Sequence, residues 1–233
     1  MTTQPVALAQ DLEAQRVMRA QVGDHDIALW RGESMTVQAW ANRCPHRGMR
    51  LSHGFVRSDS LACAYHGWQY NCQAQCHFIP AHPELEPPAT IKPVVFSVVE
   101  QQGILWVDTE RTARPIALPD ACAGVRTIAL KCSIAAAVDA FTQNSPKNEA
   151  SVELSSREFS TEPRIISYVD PDSVDSVLVL FQQSAANSVN AHILADSNWS
   201  TKGRIALSRW CESVRRKAEN TLTDQTHRDS SDA

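Results

Sequence analysis

The sequence has no beginning of the kind that directs export. Its first twenty residues, "MTTQPVALAQDLEAQRVMRA", lack a basic segment followed by an apolar one. Nor does any stretch reach the roughly 18 consecutive apolar residues of a spanning helix; the longest candidate, "ALKCSIAAAVDAF", is interrupted by Lys131 and Asp139. These absences point to a soluble cytoplasmic protein with no membrane partner. An excess of positive charge is also missing, and a net charge of -4 at pH 7 argues against a general nucleic-acid binder. The seven cysteines are an odd number, so they do not form a secreted disulfide framework and read instead as metal ligands plus buried thiols in a reducing compartment. Histidine is scarce in the second half: only His192 and His227 follow Arg111.

What is present suits a globular chain. With 233 residues, 43% hydrophobic and 21% charged, it is long enough for two modest domains with proper cores. From Pro5 to Asp108, short apolar runs separated by turn residues predict a small antiparallel β domain. In "IALWRGESMTVQAW" the strands are Ile27–Arg31 and Met35–Trp40, and "VVFSVVEQQGILWV" repeats the hairpin around Gln101, Gln102 and Gly103. The Pro-rich "IPAHPELEPPATIKP" excludes helix. Residues 109–126 read as a connection. Beyond them, "IISYVDPDSVDSVLVLFQQ" predicts two strands across Pro171 and Asp172, and "SVNAHILAD" a third. Leu207, Trp210, Cys211, Val214 and Ala218 form the stripe of an amphipathic helix, whereas residues 221–233 have too little apolar content to order.

The chemistry lies in "RCPHRGMRLSHGFVRSDSLACAYHGWQY", residues 43–70. Cys44 and His46 form a C-x-H pair, and Cys63 and His66 a C-x-x-H pair. Two thiolates and two imidazoles could hold one tetrahedral zinc, or a [2Fe-2S] cluster with both sulfurs on one iron and both imidazoles on the other. The order favours the cluster, because each loop supplies one ligand of each type. Common Cys₂His₂ zinc fingers pair like with like around a helix that is missing here. Gly48 and Gly67 follow the pairs, where a loop must bend tightly enough for backbone N–H groups to approach sulfur.

"CPHRG" and "CAYHGWQY", preceded by "IALWRGESMTVQAWANR" and followed by "GILWV", resemble the Rieske domain of the Rieske non-haem iron oxygenases, the ring-hydroxylating dioxygenases and demethylases. The resemblance implies that Cys44, His46, Cys63 and His66 ligate a Rieske-type [2Fe-2S] cluster. It implies an α+β architecture: an all-β Rieske domain over residues 1–108, the connection, and a shortened helix-grip-like domain over residues 127–220. Rieske proteins of cytochrome bc complexes carry an extra cysteine in each loop; Met49 and Tyr65 stand there, and Trp68 replaces a serine. Fewer hydrogen bonds to the cluster then imply a potential toward the low end of the roughly -150 to +300 mV range of such centres.

The resemblance stops short of the oxygenases' mononuclear iron, whose ligands begin in an Asp-x-x-His-x-x-x-x-His pattern. No such pattern occurs, and "SIAAAVDAFTQNSPKNEASVE", the counterpart of the ligand helix, offers Gln143 and Pro146 instead. The resulting expectation is a one-electron carrier that takes electrons from a flavin- or ferredoxin-type reductase. It would serve a catalytic oxygenase subunit in a trimer-like hetero-oligomer. Two alternatives stay open: a complete terminal oxygenase using His192 with Asp139, Glu149, Glu153 or Glu158, and a zinc-stabilised interaction module. His53, His77 and His82 read as loop histidines, Cys72 and Cys76 as free thiols, and Arg43, Arg47, Arg50 and Arg57 as a solvated surface or a rim for an acidic donor.

Overall fold

The computed structural model describes residues 3–119, 122–170 and 176–229, without the side chains of 221–229. The chain divides into two compact units, residues 3–115 and the residues from Ile116 onward.

In the first unit a six-stranded sheet is built from β1 (Gln4–Leu8), β2 (Arg16–Val22), β3 (His25–Arg31), β4 (Val37–Ala41), β9 (Val95–Gln101) and β10 (Ile104–Asp108), in the order β1-β10-β9-β4-β3-β2. All neighbours are antiparallel. The expected hairpins are present within two residues of their predicted ends. Gln102 and Gly103 both take positive φ, 50° and 75°, the pair of left-handed residues that a two-residue hairpin turn requires. Inserted between β4 and β9 is a four-stranded sheet, β5 (Phe55–Arg57), β6 (Ser60–Ala62), β7 (Gln69–Asn71) and β8 (Cys76–Phe78). No helix forms in the Pro-rich 79–93.

Two cores result. One packs Val6, Ile27, Leu29, Phe96, Leu105 and Val107. The other packs Trp30, Trp40, Leu61 and Tyr70 with the cysteines Cys44, Cys63 and Cys76, so the metal loops grow from a hydrophobic wall.

The second unit is an antiparallel five-stranded sheet of β11 (Cys122–Leu130), β12 (Ser155–Thr161), β13 (Arg164–Val169), β14 (Ser176–Ala185) and β15 (Ser188–Asp196), ordered β11-β15-β14-β13-β12. Two helices complete it, α1 (Ile134–Thr142) and α2 (Thr201–Asp229). Ser133 caps α1 through a hydrogen bond from the Ala136 N–H, as a serine at that position should. The α2 stripe is as expected: Leu207, Cys211, Val214 and Ala218 are buried in one core with Val179, Phe181 and Ile193, and Trp210 donates its indole N–H to the Asn144 carbonyl.

Three expectations need changing. β11 begins at Cys122, inside the stretch read as a connection, because pairing with β15 overrides its weak strand propensity. β12, "SSREFST", was not expected as a strand; it is a sheet edge exposed over most of its length and so has no apolar alternation to display. α2 runs through Asp229, nine residues into the segment expected to be disordered, since extending a nucleated helix costs little. Pro171 and Asp172 lie outside the described residues. Among the described residues no helix is long and apolar enough to cross a membrane.

Candidate metal centre

Two loops carry the expected ligands, one between β4 and β5 and one between β6 and β7. They close identically. In the first, the Cys44 N–H donates to the Met49 carbonyl (2.8 Å) and the Gly48 N–H to the Cys44 carbonyl (2.9 Å). In the second, the Cys63 N–H donates to the Trp68 carbonyl and the Gly67 N–H to the Cys63 carbonyl, both at 2.9 Å. The glycines make this possible: both have φ near +70°, where a side chain is strained. A Cβ on Gly67 would also come within 2.9 Å of Pro80.

Because both loops run five residues from Cys to Gly, C-x-H and C-x-x-H are the same loop with the histidine displaced by one position. His46 therefore corresponds to Tyr65, and Arg47 to His66. The thiols lie inside, Cys44 2% and Cys63 3% exposed. The imidazoles lie outward with ring centroids 4.6 Å apart, His66 exposed and His46 half-buried. Burial pushes the Cys63 thiol up and the neighbouring Cys44 adds to this, while the Tyr65 and His66 backbone N–H groups aimed at its sulfur act in the opposite sense. Burial holds His46 below the usual histidine range, helped by His66 and Arg47.

The family description "Rieske [2Fe-2S] domain" matches residues 2–92. Residues 2–92 are thus a Rieske [2Fe-2S] domain. The chain's relatives include the oxidoreductase NdmD of Pseudomonas putida, 38% identical over 118 residues, which is 50% of this chain and 20% of that protein. The methylxanthine N1-demethylase NdmA of the same organism is 33% identical over 100 residues, 43% of this chain and 25% of the relative. The chain thus spans about a fifth to a quarter of these relatives' length. Among solved structures, dicamba monooxygenase bound to 3,6-dichlorosalicylic acid has the same fold at a TM-score of 0.72 and 15% identity, covering 99% of this chain and 88% of that one. NdmA superposes at 0.70 with 19% identity, covering 94% and 80%. The resemblance to the Rieske non-haem iron oxygenases stands, as does the α+β fold class.

The cofactor of a Rieske domain is a [2Fe-2S] cluster, and the four residues fit one. His46 Nδ1 is buried without a hydrogen-bond partner, a costly state for a polar atom that a metal bond would relieve. The sulfurs pair on the inner side and the imidazoles on the outer.

One contributor escaped the sequence reading. The Tyr70 hydroxyl lies 3.2 Å from Cys44 Sγ, where it would donate to the sulfur of a Cys44 thiolate bound to metal. Its signal was present: Tyr70 alternates on β7 toward the core, four residues past His66. A donor to thiolate favours the electron-rich reduced state, so Tyr70→Phe lowers the midpoint potential. A differential of about 1 kcal/mol corresponds to about 40 mV for one electron. Voltammetry of the loaded protein reads this directly, and an unchanged potential would remove Tyr70 from the account.

Several of the other candidates make contacts elsewhere. His192 is a buried strand residue whose Nδ1 lies 3.0 Å from the Thr127 hydroxyl. Glu149 accepts from the Ser200 N–H at the start of α2, and His77 Nε2 lies 3.0 Å from Ser60 Oγ. Gln143 ends α1, and the Pro146 carbonyl accepts from the Leu154 N–H. Cys72 lies 3.5 Å from the Asp59 carbonyl, away from the ligand loops' closing bonds.

Proposed function

We propose that this chain carries single electrons from a flavin- or ferredoxin-type reductase to the mononuclear iron of a catalytic oxygenase subunit, within a cytoplasmic hetero-oligomer. In this reading Cys44, His46, Cys63 and His66 hold the cluster, which when bound supplies a one-electron centre. The observation that carries it is the polarity of the two loops: buried thiols inside, an exposed imidazole at the tip. Cys44 and Cys63 keep water from the inner side, and Tyr70 donates to sulfur. His66 gives the centre an edge that a partner can approach. The oxidoreductase and demethylase relatives support the class of chemistry.

Arg43 and Arg47 on the first loop are exposed, and Arg50 is 3.5 Å from Asp26. An acidic reductase face would be steered to this rim, an effect worth 10-fold or more in association rate that salt suppresses. Reversing both charges, Arg43→Glu with Arg47→Glu, should slow reduction about tenfold at low ionic strength and flatten its salt dependence. Stopped-flow reduction across a salt series checks this.

The deciding experiment measures iron and acid-labile sulfide per chain, the paramagnetic resonance of the reduced protein, and oxygen uptake with a reductase. The carrier reading expects the complement of one [2Fe-2S] cluster and no substrate-dependent oxygen uptake by chain and reductase alone. Additional iron with such uptake would make the chain a complete terminal oxygenase. Zinc without sulfide would make it a zinc-stabilised interaction module.

A further inference from the structure

The two imidazoles are not equivalent, and each has an aromatic ring lying against it. Trp68 stacks on His46 with centroids 4.1 Å apart and planes 5° from parallel. Tyr65 stacks on His66 at 3.9 Å and 27°. Neither contact follows from the ligand motif. The two loops supply them in different ways: Trp68 reaches across from the second loop to the histidine of the first, whereas Tyr65 lies on its own sequence neighbour. Trp68 is half-buried against the aromatic core; Tyr65 is 59% exposed.

An imidazole on a loop can turn about χ2, and only one orientation points Nδ1 at the centre. The Nδ1 of His46 is buried without a partner, so no hydrogen bond from it holds the ring in its orientation. The nearly parallel indole is the contact that restricts that rotation, and the phenol of Tyr65 restricts His66 similarly. We propose that Trp68 and Tyr65 are positioning residues that set the ring planes of His46 and His66 by stacking. Imidazole orientation is then fixed by the protein before metal binds. This rests on the ligand assignment above.

The distinction to test is flatness against bulk. Trp68→Phe and Tyr65→Phe keep a flat ring; Trp68→Leu and Tyr65→Leu keep an apolar side chain without one. Stacked aromatic pairs contribute enough to change a rate by about two- to tenfold. In the full chain loaded with its cluster, both leucine variants should lose iron to a chelator faster by that factor and shift the g-values of the reduced protein. Both phenylalanine variants should stay near wild type on each readout, with melting temperatures unchanged.

Leucine variants with wild-type g-values and wild-type chelator kinetics would overturn the proposal. Should Trp68→Leu fail to fold, Tyr65→Leu decides, since its side chain is exposed and a wild-type result there sinks the idea. Leucine variants that lose iron faster only in proportion to a lowered melting temperature, without a spectral shift, also overturn it in favour of a structural role. A wild-type protein with no Rieske signal would instead overturn the ligand assignment on which it rests.

Discussion

Cys63→Ala will leave the chain folded and without its iron-sulfur centre. Two roles of Cys63 are separable: its backbone closes the second loop through bonds to Trp68 and Gly67, and in the proposed assignment its side chain supplies a thiolate. Alanine keeps the first and deletes the second. Removing groups that merely orient a ligand typically costs 10- to 100-fold in metal affinity, and deleting the ligand itself exceeds that. Iron and acid-labile sulfide should therefore fall below about a tenth of wild type, while far-ultraviolet circular dichroism stays unchanged. Cys72→Ala is the control, since its thiol reaches the Asp59 carbonyl and takes no part in loop closure. Full iron and sulfide in Cys63→Ala, or equal loss in Cys72→Ala, would defeat the ligand assignment.

The two Cys/His pairs and their order were plain in the sequence, because metal chemistry restricts both in the proposed ligand set. The sequence also showed the hairpins around them, where apolar alternation and a Gln-Gln-Gly turn left one reading. Loop equivalence was written there too, in the shared five-residue spacing from Cys44 to Gly48 and Cys63 to Gly67, but the eye follows histidine spacing instead. The inward side of Tyr70 was legible from its place on β7, but its contact with Cys44 and that of Trp68 with His46 were not, since they depend on which side chains meet across separate segments, whereas Tyr65 on His66 joins sequence neighbours. β12 was missed for a different reason: a solvent-exposed sheet edge needs no hydrophobic pattern, and its pairing with β13 is the only evidence of it. The α2 stripe was plain because one helix face meets the core, whereas the sequence of residues 221–229 has too little apolar content to announce a helix.

Trp40→Ala tests whether the aromatic wall behind the loops is structural support for the centre. Trp40 has no exposed surface; its ring meets Trp30 edge-on at 5.0 Å and Tyr70 at 6.4 Å, and the Tyr70 hydroxyl reaches Cys44. Truncating a buried tryptophan costs about 3–5 kcal/mol through lost contacts and the cavity left behind. For a unit of this size that is a fall on the order of 20 °C in melting temperature. The visible absorption of the cluster follows this unit specifically, so melting is best monitored there. The cavity also frees Tyr70 to tilt from Cys44, and the potential should move in the same direction as in Tyr70→Phe. Trp40→Phe retains much of the wall and should recover most of both effects. A loss of only a few degrees would mean that the loops are held by their own backbone bonds. A large loss with an unchanged potential would mean that the wall supports the fold while leaving the Tyr70 hydrogen bond where it is.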